Sequence, residues 1–273
     1  MSALQNAPLG QKSAYITEYQ PDLLFPIARQ LKRDELNIHG ALPFQGFDVW
    51  NGYELSWLNT KGKPLVAGAE FVFPCESTNI IESKSFKLYL NSFNNTKFES
   101  APMVEEILRR DLSKAVGNFP VQVRLFSLTE ASAQMSQHLS GVSLDTLDIT
   151  CDTYITQPDY LVTEDEVVTE SLQSDLLKSN CLVTYQPDWG SVQINYTGKK
   201  IQHEGLLRYI VSFRNHNEFH EQCVERIFTD IQTHCNPEKL LVYARYTRRG
   251  GLDINPLRAN YTVSPSNQRL WRQ

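Results

Sequence analysis

Apolar residues recur three and four positions apart at two places along this 273-residue chain. Val104, Ile107 and Leu108 make one stripe, and Val224, Ile227 and Phe228 make the other, each the buried face of an amphipathic helix. The stripes belong to a longer correspondence: residues 81–108 align without gaps on residues 201–228, a displacement of 120. Ile81/Ile201, Tyr89/Tyr209, Ser92/Ser212, Phe93/Phe213, Asn95/Asn215, Val104/Val224, Glu105/Glu225 and Ile107/Ile227 are identical pairs. Past each helix the period changes to two. Val121, Val123 and Leu125 alternate with Gln122, Arg124 and Phe126, and Leu240, Val242, Ala244 and Tyr246 share one side of a second strand. That strand reaches Arg248-Arg249-Gly250-Gly251, a turn signal, before Leu252 and Ile254 resume the alternation. Each half reads strand, turn, helix, strand. The pattern predicts an α+β protein with antiparallel sheet, in two related domains over residues 1–145 and 146–273. Residues 133–170, with Asp145, Asp148, Asp152, Glu164, Asp165 and Glu166, read as a solvated connection holding short elements.

Composition narrows the function classes. A net charge of -5 and an isoelectric point near 5.7 argue against a broad phosphate-binding surface, so direct nucleic-acid binding is not expected. The N-terminal MSALQNAPLGQKSAY has no basic run followed by an apolar one, and no window reaches the eighteen or so apolar residues of a membrane span. A cytoplasmic protein without membrane contact is the expectation. The five cysteines, Cys75, Cys151, Cys181, Cys223 and Cys235, are odd in number and without framework spacing, and all are expected to be reduced. Neither CxxC nor HExxH occurs, and a lone His220-x-x-Cys223 is weak zinc spacing, so no metal is expected.

The correspondence between the halves is most informative where it breaks. Glu82-Ser83-Lys84-Ser85 faces Gln202-His203-Glu204-Gly205 across the displacement, while Phe219-His220-Glu221 faces Glu99-Ser100-Ala101. Complementary polar sets suggest a site assembled from both halves or from neighbouring chains. In SNCLVTYQPDWG, residues 179–190, Cys181 stands seven positions ahead of Asp188, with Pro187 and Gly190 expected to bend the chain. A thiol is a strong nucleophile only as thiolate, which needs a cation, a helix N-terminus or a base; Asp188 suits a proton carrier and His220 a second acid. The alternative is a buried, inert cysteine, the role assigned to the other four. Lys84 and Lys87 read on spacing as surface charges first, with phosphate contacts as the sharper alternative, on a strand or on a helix started by Glu82 and Ser83. There is no GxGxxG after a strand and no GxxxxGK[ST], so a nucleotide is not held by those loops. Gly250-Gly251 after two arginines is either a hairpin turn or a small anion site.

Together these residues resemble the NADPH-dependent 7-cyano-7-deazaguanine reductases, the nitrile reductases of the queuosine pathway of tRNA modification. The run Glu82-Ser83-Lys84-Ser85-Phe86-Lys87-Leu88-Tyr89 fits that family's signature at every position, as do C-x-x-T-x-Q-P-D from Cys181 to Asp188 and Phe219-His220-Glu221. The resemblance extends from PDLLFPIAR at residues 21–29 to the closing RLWRQ. It implies two tandem tunnelling-fold (T-fold) units, similar to GTP cyclohydrolase I, with antiparallel sheets and helices packed on one face. The N-terminal unit, 1–145, would hold the signature run, and the C-terminal unit, 146–273, the Cys/Asp loop and the Phe-His-Glu run, in a homodimer. It further implies that Cys181 adds to the nitrile as a covalent thioimide, that Asp188 handles the proton, and that His220 holds the ligand and shields or protonates the imine. Glu82 and Glu221 would accept the hydrogen-bond donors of the deazaguanine edge, beside Ile81 and Ser83. Ser83, Lys84, Arg249 and Gly250 would contact NADPH. Two rivals remain open on the residues alone: a thiol-dependent cyclohydrolase or nitrile hydrolase on the same fold, and a purine-binding module without catalysis.

Overall fold

Long alternating runs separated by turn residues become antiparallel ladders in the computed structural model of the chain, which describes residues 16, 18–127, 135, 136, 138–264 and 267–273. In chain order the elements are β1 (Pro26–Ala28), α1 (Gln30–Arg33), β2 (Gln45–Leu58), β3 (Pro64–Pro74), β4 (Asn79–Ile81), α2 (Ser83–Asn91), α3 (Ala101–Ala115), β5 (Gln122–Phe126), β6 (Met135–Ser136), β7 (Val142–Ser143), β8 (Thr163–Ser174), β9 (Lys178–Asn180), β10 (Pro187–Ile201), α4 (His203–Ser212), α5 (His220–Cys235), β11 (Lys239–Tyr246), β12 (Leu252–Ala259) and β13 (Arg269–Leu270). Contacts divide the chain into two units: residues 1–31, 49–134 and 248–253 form the first, and residues 32–48, 135–247 and 254–273 the second. Neither is one continuous run of chain.

In the first unit the strands neighbour one another in the order β5-β3-β2, with β1 and β4 as a separate antiparallel pair that sets Pro26 opposite Ile81. Helix α2 begins where Glu82 accepts hydrogen bonds from the backbone N–H of Lys84 and Ser85, both 2.8 Å, which satisfies two donors a helix start leaves open. The sequence allowed this run as strand or helix; the cap and the spacing of Phe86, Tyr89 and Leu90 settle it as helix. The core is aromatic: Phe86 packs within 4.9 Å of Phe71 and 5.4 Å of Trp50, ring centre to ring centre.

In the second unit the order is β12-β11-β10-β8-β7, with β9 paired to β10 beside that path. The long ladders are antiparallel, and the two-residue pairings β7–β8 and β13–β6 are parallel. Val192, Ile194 and Tyr196 of β10 and Leu240, Val242, Ala244 and Tyr246 of β11 are fully buried, and α5 packs on both strands through Val224, Ile227, Phe228 and Ile231. The alternate β11 positions Leu241 and Tyr243 lie with Leu257 and Ala259 against Leu139, Tyr261 and Val263, so irregular chain rather than helix covers that side. Asn236, left-handed at φ 46°, ends α5 just before Pro237, a common helix stop.

The solvated connection expected over residues 133–170 is in part a long strand. Its first half is exposed, with Asp165 2.9 Å from Lys199 on the facing strand, and that polar surface is why it reads as a connection. Residues 133 and 134 lie outside the described residues. The correspondence between the halves persists inside each unit. Tyr89 donates to Asp111 at 2.8 Å and Tyr209 to Asp230 at 2.7 Å; Ser92 bonds the Tyr89 carbonyl and Ser212 the Tyr209 carbonyl, both at 2.6 Å.

Candidate active site

The second unit brings the cysteine loop and the His-Glu run together through backbone. β9 and β10 form a hairpin with Asn180 opposite Pro187 and Ser179 opposite Asp188, and the Cys181 N–H bonds the Gln186 carbonyl at 2.8 Å to close a short loop. Tyr185 takes a left-handed φ of 58° to make that turn. On its other edge Asn180 is held by the chain entering α5: its N–H bonds the His216 carbonyl at 2.8 Å, and its carbonyl accepts from the Glu218 N–H at 3.0 Å. Two residues later α5 starts at His220, with Glu221 next. The residue before Cys181 and the residues before His220 are therefore one ladder.

Cys181, Asp188, His220 and Glu221 are all buried, between 1% and 6% exposed. His220 Nε2 stands 3.6 Å from Asp188 Oδ1, within ion-pair distance and longer than a hydrogen bond. The His220 ring meets Tyr246 edge to face with centroids 4.1 Å apart. Gly190 does not bend the chain as its sequence position suggests. It lies inside β10 opposite Tyr246, where a Cβ would come within 3.1 Å of the Tyr246 ring, so its lack of a side chain admits that ring.

Electrostatics separates the thiols. Burial, with the Glu218 charge adding to it, pushes Cys223 up to about 12, and burial pushes Cys235 up to about 11; neither is a thiolate near neutrality. Burial holds Tyr246 well above its ordinary value, helped by Cys223 and by the charges of Asp188 and Glu218, so it stays protonated. Lys178, one position before Ser179 on β9, is lowered by burial and by Arg214, while the Asp188 carboxylate works to raise it. It donates to Asn180 Oδ1 at 2.7 Å.

In the first unit Glu82, Ser83 and Lys84 open α2, and Ile81 is buried in β4. Burial raises the Glu82 carboxyl above its ordinary value; the Lys84 and Ser85 N–H bonds and the Lys84 and Arg249 charges offset that only in part. Each Glu82 oxygen already accepts one helix N–H, and an sp² oxygen retains a second acceptor direction for a ligand. Arg249 and Leu252 bond each other's backbone across Gly250 (φ 61°) and Gly251 (φ 79°), the two-residue hairpin turn that needs left-handed residues at both central positions. Gly250 lies against Lys87, since an added Cβ would sit 3.1 Å from Lys87 Cδ, and the Arg249 charge reaches Glu82. Lys84, Lys87 and Arg249 thus put three cations around the start of α2 and the turn, a donor set that suits the phosphates of a dinucleotide.

Sequence reasoning missed three groups around the second-unit site. Glu218, fully buried, and Arg226, half-buried, form a forked pair, with Arg226 Nη2 2.7 Å and Nε 3.0 Å from the two carboxylate oxygens. Tyr246 reads from its alternation only as core, although its ring is the surface His220 rests on.

Comparison with known proteins agrees along the whole chain. Residues 15–125 match the family described as "Nitrile reductase, 7-cyano-7-deazaguanine-reductase N-term", and residues 187–264 match "QueF-like protein". A protein of Cupriavidus metallidurans named NADPH-dependent 7-cyano-7-deazaguanine reductase is 59% identical over 100% of both chains. One of Hydrogenovibrio crunogenus with the same name is 58% identical over 100% of this chain and 98% of its own.

Proposed function

Because the chain belongs to the family of NADPH-dependent 7-cyano-7-deazaguanine reductases, we propose that its second unit carries the covalent chemistry of nitrile reduction and its first unit the contacts that hold NADPH. The chain is an NADPH-dependent oxidoreductase acting on the nitrile of 7-cyano-7-deazaguanine. The observation that carries the assignment of roles is the ladder through Asn180, which joins the Cys181 loop to the start of α5 and sets His220 3.6 Å from Asp188.

In this reading the Cys181 sulfur, as thiolate, attacks the nitrile carbon and forms a C–S bond while one C≡N π pair moves to nitrogen. Asp188 delivers the proton that nitrogen takes up, giving a neutral thioimide, and His220 Nε2 lies within reach to reload Asp188. A nitrile accepts hydride poorly and a protonated C=N carbon accepts it well, so capture by sulfur prepares the carbon. NADPH, when bound, supplies hydride, and two equivalents balance reduction of a nitrile to a primary amine, here 7-aminomethyl-7-deazaguanine. When the C–S bond breaks after the first hydride transfer, the pair returns to sulfur, and His220 shields or protonates the imine. Tyr246 fixes the His220 ring and stays protonated itself.

Glu221 and Glu82 accept from the ring N–H groups of the deazaguanine, with Ile81 and Ser83 beside Glu82. Ser83, Lys84, Arg249 and Gly250 hold NADPH, their cations facing its phosphates. The chain is read as two tandem T-fold repeats, 1–145 and 146–273, a division along the sequence that differs from the interleaved contact units; the Tyr-Asp and Ser-carbonyl bonds found in both halves support the reading. The chain is taken to work as a cytoplasmic homodimer on the free small molecule, without contacting nucleic acid, within queuosine synthesis; among the described residues no helix is long and apolar enough to cross a membrane. Replacement of Cys181 by Ala tests the roles: turnover is expected to vanish, and full turnover would remove Cys181 as nucleophile.

A further inference from the structure

The pair of buried Glu218 and half-buried Arg226 stands outside the reacting groups just described, yet it sits at their common support. Segment 216–218 contacts Asn180 by two backbone bonds, and Asn180 is the residue before Cys181. Those bonds fix Cys181 only as well as the segment itself is fixed. It runs from the three-residue 3-10 turn at Phe213–Asn215 to the start of the sixteen-residue α5, and among the described residues its one bridge is the parallel one between Asn217 and Asn180. Besides the His216 N–H bond to the Phe213 carbonyl at 2.8 Å and the edge-to-face contact of those two rings, it is anchored by the side chain of Glu218. Glu218 is fully buried; Oε1 accepts from Arg226 Nη2 at 2.7 Å, and Oε2 accepts from Arg226 Nε at 3.0 Å and lies 2.9 Å from His216 Nε2. Arg226 comes from the second turn of α5, the helix whose first residue is His220. The fork therefore ties residues 216 and 218 to the helix that carries His220, and the backbone ties the same residues to the strand that carries Cys181.

Such a hub could be stability alone, but its geometry argues for more. A forked guanidinium–carboxylate pair sets angle as well as distance, which an apolar contact of equal volume does not. A nucleophile displaced by an ångström loses rate far out of proportion to any loss of stability. α5 also buries the carboxylate of Glu225, held by Arg33 and Arg258, but the Glu218–Arg226 fork is the one placed where segment, strand and helix meet.

We infer that Glu218, through its forked pair with Arg226 and its contact with His216, is a positioning residue for the reaction: it registers segment 216–218 against Asn180 and so sets Cys181 against His220 and Asp188. The inference rests on the reading of Cys181 as nucleophile.

The test uses the full chain with three variants, Glu218→Gln, Arg226→Lys and the double Glu218→Gln/Arg226→Met. Glu218→Gln keeps the shape and loses the charge; Arg226→Lys keeps the charge and loses the fork; the double variant removes both charges, so no buried charge is left without its partner. Melting temperature, kcat and KM for NADPH, and amide hydrogen exchange at Asn180 and Glu218 are measured on each. The expected result is exchange at least tenfold faster at both amides and kcat at least tenfold lower in all three, with KM for NADPH within twofold. The double variant alone should recover the wild-type melting temperature, and it should do so without recovering kcat. A double variant that regains both stability and kcat would show a purely structural pair and overturn the inference. So would faster exchange with kcat unchanged. The reading of Cys181 is judged separately, by whether the wild-type chain forms a covalent adduct with the nitrile.

Discussion

Glu82 and Glu218 are carboxylates of equal burial, each beside the start of a helix, one in each unit, and they are driven in opposite directions. Burial is the largest influence on both, and on both it raises the pKa. Glu82 has two backbone N–H groups and the more distant charges of Lys84 and Arg249 against it, which are insufficient, so it ends above its ordinary value. Glu218 has hydrogen bonds from His216 and a forked Arg226, which outweigh burial, so it ends below. Partners, not depth, decide whether a buried acid keeps its proton. The difference matches the proposed division of labour. An acid able to hold or release a proton suits a binding edge, whereas a fixed anion suits a brace.

The largest expected effect falls on the chemistry of the second unit. Asp188→Asn should lower kcat by about 10²–10⁴, the range for loss of a general acid–base group, and should flatten the pH profile of kcat. An unchanged rate and profile would remove Asp188 as proton carrier. Next comes the brace. Glu218→Ala leaves the Arg226 guanidinium, 15% exposed, without its fork, and should cost about 3–5 kcal/mol by chemical denaturation. Glu82→Ala removes only a helix cap, and about 1 kcal/mol is expected. If Glu82→Ala cost as much as Glu218→Ala, the contrast between a cap and a brace would fail.

A smaller effect sharpens the comparison through pH. Glu218 is depressed, so its stabilisation is present above the ordinary value of 4.5 and is lost as pH falls through its lower folded value. Glu82 is raised, so its contribution has the opposite sense: it is fully present below 4.5 and is lost as pH rises through its higher folded value. Denaturation of Glu218→Gln and Glu82→Gln from pH 7 to about pH 3 should therefore show the gap to wild type narrowing below 4.5 for the first and widening on the way down to 4.5 for the second. The smallest effect is at the surface, where Lys87→Met breaks the 3.4 Å pair with Glu54. Both partners are more than a third exposed, and a change within about 0.5 kcal/mol is expected.

Features encoded locally were legible in the sequence. The stripes Val104-Ile107-Leu108 and Val224-Ile227-Phe228 lie on α3 and α5, the alternation from Leu240 to Tyr246 is β11, and Gly250-Gly251 is a hairpin turn. Each signal sits within a few residues. β8 was hidden because its exposed acidic half lacks the alternation of a half-buried strand. Gly190 misled because only the facing strand reveals the Tyr246 ring it makes room for. Family resemblance named the residues proposed to react and was silent on their support. Glu218 and Arg226 look like ordinary surface charges in the sequence, and their pairing becomes visible only when the segment before α5 folds back along its helix. Sequence patterns report periodicity within an element, whereas a buried ion pair joins two of them.

The most direct test of the central claim is intact mass of the purified chain mixed with 7-cyano-7-deazaguanine in the absence of NADPH, with Cys181→Ala alongside. The account predicts a mass increase equal to one nitrile molecule on the wild type and none on the variant. Bound substrate without an adduct on the wild type, or an adduct on both proteins, would contradict capture of the nitrile by Cys181.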